Sequence, residues 1–447
     1  MKLKHTFISI FKLIKPKHKV ISIFGLWCLV ILIVFFNHAI TYDPFYSTAR
    51  NVVYRYQARG EIKDRNGEIL VYGSGASRIY KIGAAGSPII GVARPDIGVE
   101  GFIEREYGER LMSSKKSKLW YLLNQSDEGY PIMTTLDKGL QLTANSAMKE
   151  YKGAIVIMKL NGEVLVSISS PSYDPNKMTS KYYGALKNHP EQPLFNRVFD
   201  GRHEPGSTWK TVIALSLLEK NYRDKSVVCN GSLKVGNKVI RCMKKHGTIN
   251  NMADAFTKSC NVWFMKTALA ELEADELDDS FKRFMSREIR KNLSQEDIAL
   301  ASIGQGEVLV SPVELAQLAA STGNKGMRPE PRLVKENLSS TKVMDEKSAQ
   351  KLVNMMEMVV KKGTARGLAG FQKKGLFVVA KTGISEKDTP KGKVNTAILI
   401  GLAGRSKNKP EIAFSVVIED VWGTGGTICV PVMKEILTYY FSKERKK

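Results

Sequence analysis

Between Lys19 and Asp43 the chain carries no Asp, Glu, Lys or Arg, and its centre reads V-I-S-I-F-G-L-W-C-L-V-I-L-I-V-F-F. A charge-free run of that length suits a bilayer, because about 20 apolar residues of helix cross the hydrocarbon core. The preceding segment holds Lys2, Lys4, Lys12, Lys15, Lys17 and Lys19 and no acid, so the positive-inside rule puts residues 1–19 in the cytoplasm. Residues 20–42 are expected to form one transmembrane anchor, leaving everything after Asp43 outside the cytoplasmic membrane. A cleaved signal peptide would need small residues at its end, and Asn37-His38-Ala39-Ile40-Thr41-Tyr42 is a poor match.

Compartment decides what the charge means. A formal net charge of +24 over 447 residues attracts polyanions. The basic residues are spread along the chain, without an aromatic-rich RNP segment or zinc-finger spacing, so nucleic acid is not an expected partner. An anionic lipid surface or cell wall is the remaining class. At 43% apolar and 25% charged residues, most of the chain has the composition of a folded protein.

Past the anchor, residues 43–130 are polar and turn-rich, and R-G-E-I-K-D-R-N-G-E-I-L at 59–70 reads as a hairpin around Asn66-Gly67. This segment is expected to be a small pedestal module. From 131 to 447 the pattern is that of a larger domain. A helical stretch begins at Leu136, and a hairpin follows around Asn161-Gly162. Helical spacing then recurs at 206–220, 251–271, 312–322 and 345–362, the third opening with the capping box Ser311-Pro312-Val313-Glu314. Strand patterns return at 376–383, 396–404 and 412–420. Two strands early and three late predict an α+β domain, one antiparallel sheet flanked by helices and closed by the two ends of the domain.

Outside the anchor, which contains Cys28, the cysteines are Cys229, Cys242, Cys260 and Cys429. Cys229 and Cys242 flank a hairpin turning at Gly236-Asn237, and an extracytoplasmic compartment permits a disulfide between them. With His246 close behind, Cys229, Cys242 and His246 are alternatively three ligands of a structural zinc, with no fourth evident from spacing. The bridge is the favoured reading. Cys260 reads as a buried, inert thiol, and His203 and His246 as structural.

In E-P-G-S-T-W-K, Ser207 and Lys210 stand three apart at the start of an apolar-periodic helix, so both side chains emerge on one face. A serine is a weak nucleophile that needs an adjacent base, and a helix N-terminus favours the alkoxide that forms. The spacing alone carries little, since Ser9 and Lys12, Ser113 and Lys116, Ser339 and Lys342, and Ser348 and Lys351 repeat it. Two further elements follow in order: Ser259-Cys260-Asn261 after a helical stretch and Lys381-Thr382-Gly383 at the end of a strand. Together they fill the slots of an acyl transfer. Ser207 attacks, Lys210 takes its proton and Ser259 relays a proton to the leaving nitrogen. Asn261 bonds the substrate amide. Lys381 and Thr382 meet a carboxylate, and Gly383 lets backbone approach a strand edge. The amides of Ser207 and Ile384 are then the oxyanion donors. This chemistry calls for no cofactor.

S-x-x-K, an S-D-N-like triplet and K-T-G in that order resemble the signature of penicillin-binding proteins and class A β-lactamases. The chain is similar to class B penicillin-binding proteins, monofunctional peptidoglycan transpeptidases, from about residue 59 to 435. The segment 59–70 resembles that family's pedestal motif. I-S-S-P-S-Y-D-P-N at 168–176, L-F-N-R-V at 194–198, H-G-T-I at 246–249 and S-I-G-Q-G-E-V-L-V-S-P at 302–312 resemble stretches around its active site. The resemblance implies a penicillin-binding/β-lactamase-like fold carried on a pedestal or dimerisation-like module and one transmembrane helix. It implies D-Ala-D-Ala stem peptides as substrate, β-lactams as inhibitors and a SEDS-type membrane glycosyltransferase as partner. It also places Gly304, Gln305 and Gly306 beside the cleft. Ile384 departs from the hydroxyl residue usual after K-T-G, leaving Thr382 and Ser385 to compensate, and Ala380 replaces a usual glycine. A β-lactamase or D,D-carboxypeptidase shares the acyl-enzyme, and a non-enzymatic β-lactam sensor or scaffold of the wall-synthesis complex shares the fold, so both stay open as alternatives.

Overall fold

The computed structural model describes residues 25, 27–34, 59–112, 129–285, 293–335, 338–389, 392–406 and 409–443. Residues 27–34 are helical with exposed side chains. The rest of the expected anchor at 20–42, and the basic segment 1–19, lie outside the described residues. Among the described residues no helix is long and apolar enough to cross a membrane.

The N-terminal module is built on a four-stranded sheet. Strands β1 (Ile62–Lys63), β2 (Ile69–Tyr72) and β3 (Ile79–Tyr80) run antiparallel in sequence, and β4 (Ile132–Met133) adds to β1 in parallel. The Asn66-Gly67 turn forms where expected. Asp64 Oδ1 accepts from the backbone N–H of Asn66 at 2.7 Å and of Glu68 at 2.9 Å, and Gly67 takes φ +89°. Its apolar core of Ile62, Leu70, Val71 and Ile89 is completed by Tyr173, Met178 and Val334 from later in the chain. At its centre the buried Glu104 carboxylate receives Arg59 Nε at 2.7 Å, Arg78 Nε at 2.5 Å and Tyr80 OH at 3.1 Å. Burying three charges is tolerable only because each finds partners.

In the larger domain, Asp137 caps helix α1 (Lys138–Ala147), accepting from Leu140 N–H at 3.0 Å. The hairpin of β5 (Lys152–Lys159) and β6 (Val164–Ser170) follows. The middle of the chain supplies α2 (Lys210–Glu219) and two small ribbons, β7 (Val227–Cys229) with β10 (Gly247–Ile249) and β8 (Ser232–Val235) with β9 (Lys238–Arg241). It continues through α3 (Met252–Lys258), α4 (Asn261–Glu271), α5 (Pro312–Gly323) and α6 (Glu346–Lys362). The last elements are β11 (Phe377–Thr389), β12 (Gly392–Gly404), β13 (Ile412–Val421) and α7 (Val430–Lys443). The five long strands form one sheet in the order β11-β12-β13-β5-β6, every pair antiparallel. Early and late segments therefore meet at β13–β5, as the strand pattern predicted.

The buried face residues of β5, β12 and β13 lack polar alternation because helices cover the sheet. α5 packs on β13, α6 on β11 and α7 on α1. The α5 capping box is present: Ser311 Oγ accepts from Glu314 N–H at 3.3 Å and Glu314 Oε2 accepts from Ser311 N–H at 2.7 Å. One expectation is corrected. The helical stretch 251–271 is two helices, because Ser259 adopts φ +56°, ψ 43° and turns the chain between α3 and α4. That left-handed residue costs about 1 kcal/mol outside glycine, and what it achieves is positional.

Candidate active site

Ser207 lies in the single 3-10 turn Gly206–Thr208 that runs into α2, whose first residue is Lys210. Trp209 between them is buried and seats the turn in the core. Ser207 is half-buried, and Lys210 has no exposed surface. Lys210 Nζ lies 2.8 Å from Ser207 Oγ, 2.6 Å from Asn261 Oδ1 and 3.1 Å from the Ser259 carbonyl oxygen. Burial pushes the lysine down from its usual value to about 7, while Cys242 and Cys260 pull the other way. Near neutral pH, a sizeable fraction of Lys210 is the free amine that can accept the serine proton.

The reversal at Ser259 gives the site its second wall. Ser259 Oγ sits between the two amines, 3.5 Å from Lys210 Nζ and 3.0 Å from Lys381 Nζ. Asn261, on the first turn of α4, donates through Nδ2 to the Arg241 carbonyl at 2.8 Å. Lys381 comes from β11, an edge strand, and also donates to the Thr382 carbonyl at 3.0 Å. Burial, and then the charge of Lys210, hold Lys381 well below its ordinary value. The two amines lie over Phe264 and Phe256, 5.6 and 5.5 Å from the ring centroids.

Glycine backbone joins these segments at close quarters. A Cβ on Gly206, at φ +52°, would stand 2.2 Å from the Ile384 carbonyl oxygen and 2.9 Å from Ile384 N, so no other residue fits. A Cβ on Gly383 would stand 2.5 Å from the Pro205 carbonyl oxygen. The Gly206–Thr208 turn is thus in backbone contact with the strand carrying Lys381, and the Ile384 amide lies beside it. The 304–306 loop borders the same turn: Gly206 N–H donates to the Gly304 carbonyl at 2.8 Å, and Glu204 Oε1 accepts from Gly306 N–H at 2.8 Å.

Two participants escaped the sequence reading. Thr364, after α6, hydrogen-bonds through its hydroxyl with Thr382 Oγ1 at 2.5 Å, placing a second hydroxyl beside that of Thr382. A threonine between Gly363 and Ala365 carries no sequence signal of that role. The other is Cys260. The Cys229–Cys242 bridge is not formed; both are free thiols with sulfurs 3.7 Å apart, and His246 and Cys260 gather with them. Cys260 joins because its Sγ caps α4, receiving Trp263 N–H at 3.4 Å. It is buried, as expected, and its sulfur lies in a cluster with Cys229, Cys242 and His246 that spacing did not reveal.

The penicillin binding protein transpeptidase domain family matches residues 153–438. The chain is 26% identical over 426 residues to peptidoglycan D,D-transpeptidase MrdA of Acinetobacter baumannii, covering 81% of this chain and 62% of that protein. It is 26% identical over 404 residues to peptidoglycan D,D-transpeptidase FtsI of Escherichia coli K12, covering 80% and 66% respectively. The chain thus spans less than two thirds of the length of either relative. Its fold is similar to that of penicillin-binding protein A from Mycobacterium tuberculosis, solved as a penicillin G acyl-enzyme complex. The TM-score is 0.75 at 22% identity, with 86% of this chain and 100% of that one covered. By sequence, the chain belongs to the penicillin-binding protein transpeptidase family, in its class B branch.

Proposed function

We propose that this chain is a membrane-anchored peptidoglycan D,D-transpeptidase that cross-links stem peptides ending in D-Ala-D-Ala and is inhibited by β-lactams acylating the same serine. The observation that carries the reading is the buried Lys210 amine, 2.8 Å from Ser207 Oγ and poised near neutrality. Ser207 attacks the penultimate carbonyl as Lys210 takes its proton, and the Ser207 and Ile384 amides hold the oxyanion. Ser259, hydrogen-bonded to Lys381, delivers a proton to the departing D-Ala nitrogen. Asn261 orients the substrate amide. Lys381, Thr382 and Thr364 receive the terminal carboxylate, and Gly383 leaves room for the peptide along β11.

The domain plan is part of the same reading: a cytoplasmic tail at 1–19, an anchor at 20–42, a pedestal at 43–130 and the transpeptidase domain at 131–447. It puts the N-terminus inside, the catalytic domain outside and a SEDS-type glycosyltransferase in contact with anchor and pedestal. The charge-free run after six lysines supports the topology.

The test is acyl transfer itself. Uncross-linked strands bearing D-Ala-D-Ala, incubated with the chain in liposomes, are expected to release one D-Ala per cross-link formed. Release of D-Ala without cross-links would make it a carboxypeptidase, and no release would leave a sensor or scaffold.

A further inference from the structure

Between Asp224 and Asp254 the sequence holds Lys225, Lys234, Lys238, Arg241, Lys244 and Lys245 and not one acid. Most lysines of this region are answered from elsewhere in the fold. Lys225 and Lys238 pair with Glu271 and Glu296 at 2.5 and 3.8 Å, and Lys220 and Lys258, to either side, pair with Glu276 and Asp254 at 2.7 and 2.9 Å. Arg241, Lys244 and Lys245 are exposed, and among the described residues their side chains have no ion pair or hydrogen bond. Met243 stands among them 78% exposed, so this short segment is an uncompensated cationic rim around an apolar centre.

Solvated cations are ordinary on a surface; what sets these apart is where the fold fastens them. The Arg241 carbonyl accepts from Asn261 Nδ2 at 2.8 Å, and Cys242 Sγ receives the Val262 N–H at 3.4 Å. From behind, the Cys242 N–H donates to the Gly231 carbonyl at 2.8 Å, and a Cβ on Gly231 would stand 3.0 Å from Lys245 Cγ. Residues 241–245 are thus clamped between Gly231 and the first turn of α4, one hydrogen bond from Asn261. They extend the wall of the site that carries Ser259.

That wall faces the second half of the reaction. Ser259 hands a proton to the departing D-Ala nitrogen, and an acceptor amine attacking the acyl-enzyme retraces that departure, so it enters beside Ser259. Its amide bond forms as the ester bond to Ser207 breaks, and the proton it sheds returns to Ser207 Oγ. The donor peptide lies along β11, which leaves the Ser259 side for the body of the acceptor. We propose that Arg241, Lys244 and Lys245 select that acceptor by binding the free carboxylates of an acidic stem peptide, and so bring an amine to the acyl-enzyme ahead of water. Opposite charges at a rim raise the rate of arrival and set orientation more than they add affinity, and a contest between amine and water responds to both. The inference rests on the transpeptidase reading and deepens it.

The full-length chain in liposomes is given a donor peptide ending in D-Ala-D-Ala, its amines acetylated, and an acceptor N-acetyl-L-Ala-γ-D-Glu peptide ending in L-Lys or meso-diaminopimelate. Each acceptor is offered with its carboxyls free and with all of them amidated. The ratio of cross-linked to hydrolysed product is read, which does not depend on how fast the acyl-enzyme forms. Wild-type chain is expected to favour the free acids, and rising salt to erode that preference. The triple variant Arg241→Gln, Lys244→Gln, Lys245→Gln should lower the ratio about tenfold for the acids and little for the amides. Lys244→Glu with Lys245→Glu should make the amidated acceptor the better one. A triple variant with the wild-type ratio for the acids overturns the proposal. An equal fall for both acceptors overturns it as well, since the segment would then only shape the Ser259 turn. Wild-type chain that releases D-Ala and cross-links neither acceptor overturns the transpeptidase reading, and this proposal with it.

Discussion

Lys210 Nζ and Ser207 Oγ are 2.8 Å apart, in a place where the lysine has no contact with solvent. The ammonium form has lost its water, which is why the group titrates at about 7 instead of near its usual 10.5. Only the neutral amine can take the serine proton, and it disappears as pH falls through that value. The apparent second-order rate of acylation by fluorescent penicillin should therefore climb about tenfold per unit at low pH and level off above about 7. Lys210→Arg keeps a cation of similar reach that does not deprotonate, so it should slow acylation by about 10²-fold or more. A flat profile across this range, or an active arginine variant, would remove Lys210 as the base.

The Thr364–Thr382 hydroxyl pair predicts a non-additive result. In the proposed carboxylate site each hydroxyl supports the other, and losing one such bond costs about 1 kcal/mol, or about fivefold in rate. Thr382→Val and Thr364→Val should each slow penicillin acylation to about that extent, and the double variant should be much less impaired than the product of the two. Independent, multiplying effects would show that the two hydroxyls do not act as a coupled pair.

Ser259 allows conformation and chemistry to be separated. Ser259→Ala removes the hydroxyl and retains an unfavourable φ of +56°, whereas Ser259→Gly removes the hydroxyl and relieves the backbone. Both should label slowly to a similar degree. In thermal or chemical denaturation the glycine variant should be more stable than the alanine variant by about 1 kcal/mol. Equal stabilities would mean that the turn stores no such strain.

Glu104 anchors the N-terminal module from inside, with Arg59 and Arg78 on its two oxygens and no exposed surface of its own. Glu104→Ala leaves two guanidinium groups uncompensated and should cost about 3–5 kcal/mol. The melting temperature should fall sharply, while chain that remains folded at low temperature should still label at Ser207. Loss of labelling in folded protein would mean that the N-terminal module shapes the active site directly.

What was legible in the chain was local. Asn66-Gly67 and Asn161-Gly162 announce turns that only certain residues make, and Ser311 with Glu314 announces a helix start; all three lie where expected. The motif order identified the residues that meet around Ser207: Ser207 and Ser259 sit at helix ends, while Lys381-Thr382-Gly383, expected at the end of a strand, lies inside β11, which runs on to Thr389. The break at Ser259 was not legible. Thr257-Lys258-Ser259-Cys260-Asn261 contains no glycine or proline, and tertiary contacts with Lys210 and Lys381 impose the left-handed residue. The place of Cys260 was hidden for the same reason, since only that turn swings its sulfur towards Cys242. Thr364 became a site residue through a contact between the segment after α6 and strand β11, which no spacing in either segment records.

The most direct test maps the acyl-enzyme. The full-length chain is incubated with fluorescent penicillin, digested, and the adduct located by mass spectrometry. The account predicts a single stable adduct on Ser207, lost in Ser207→Ala. A Ser207→Ala chain that labels as well as the parent, or an adduct on any other residue, would contradict it.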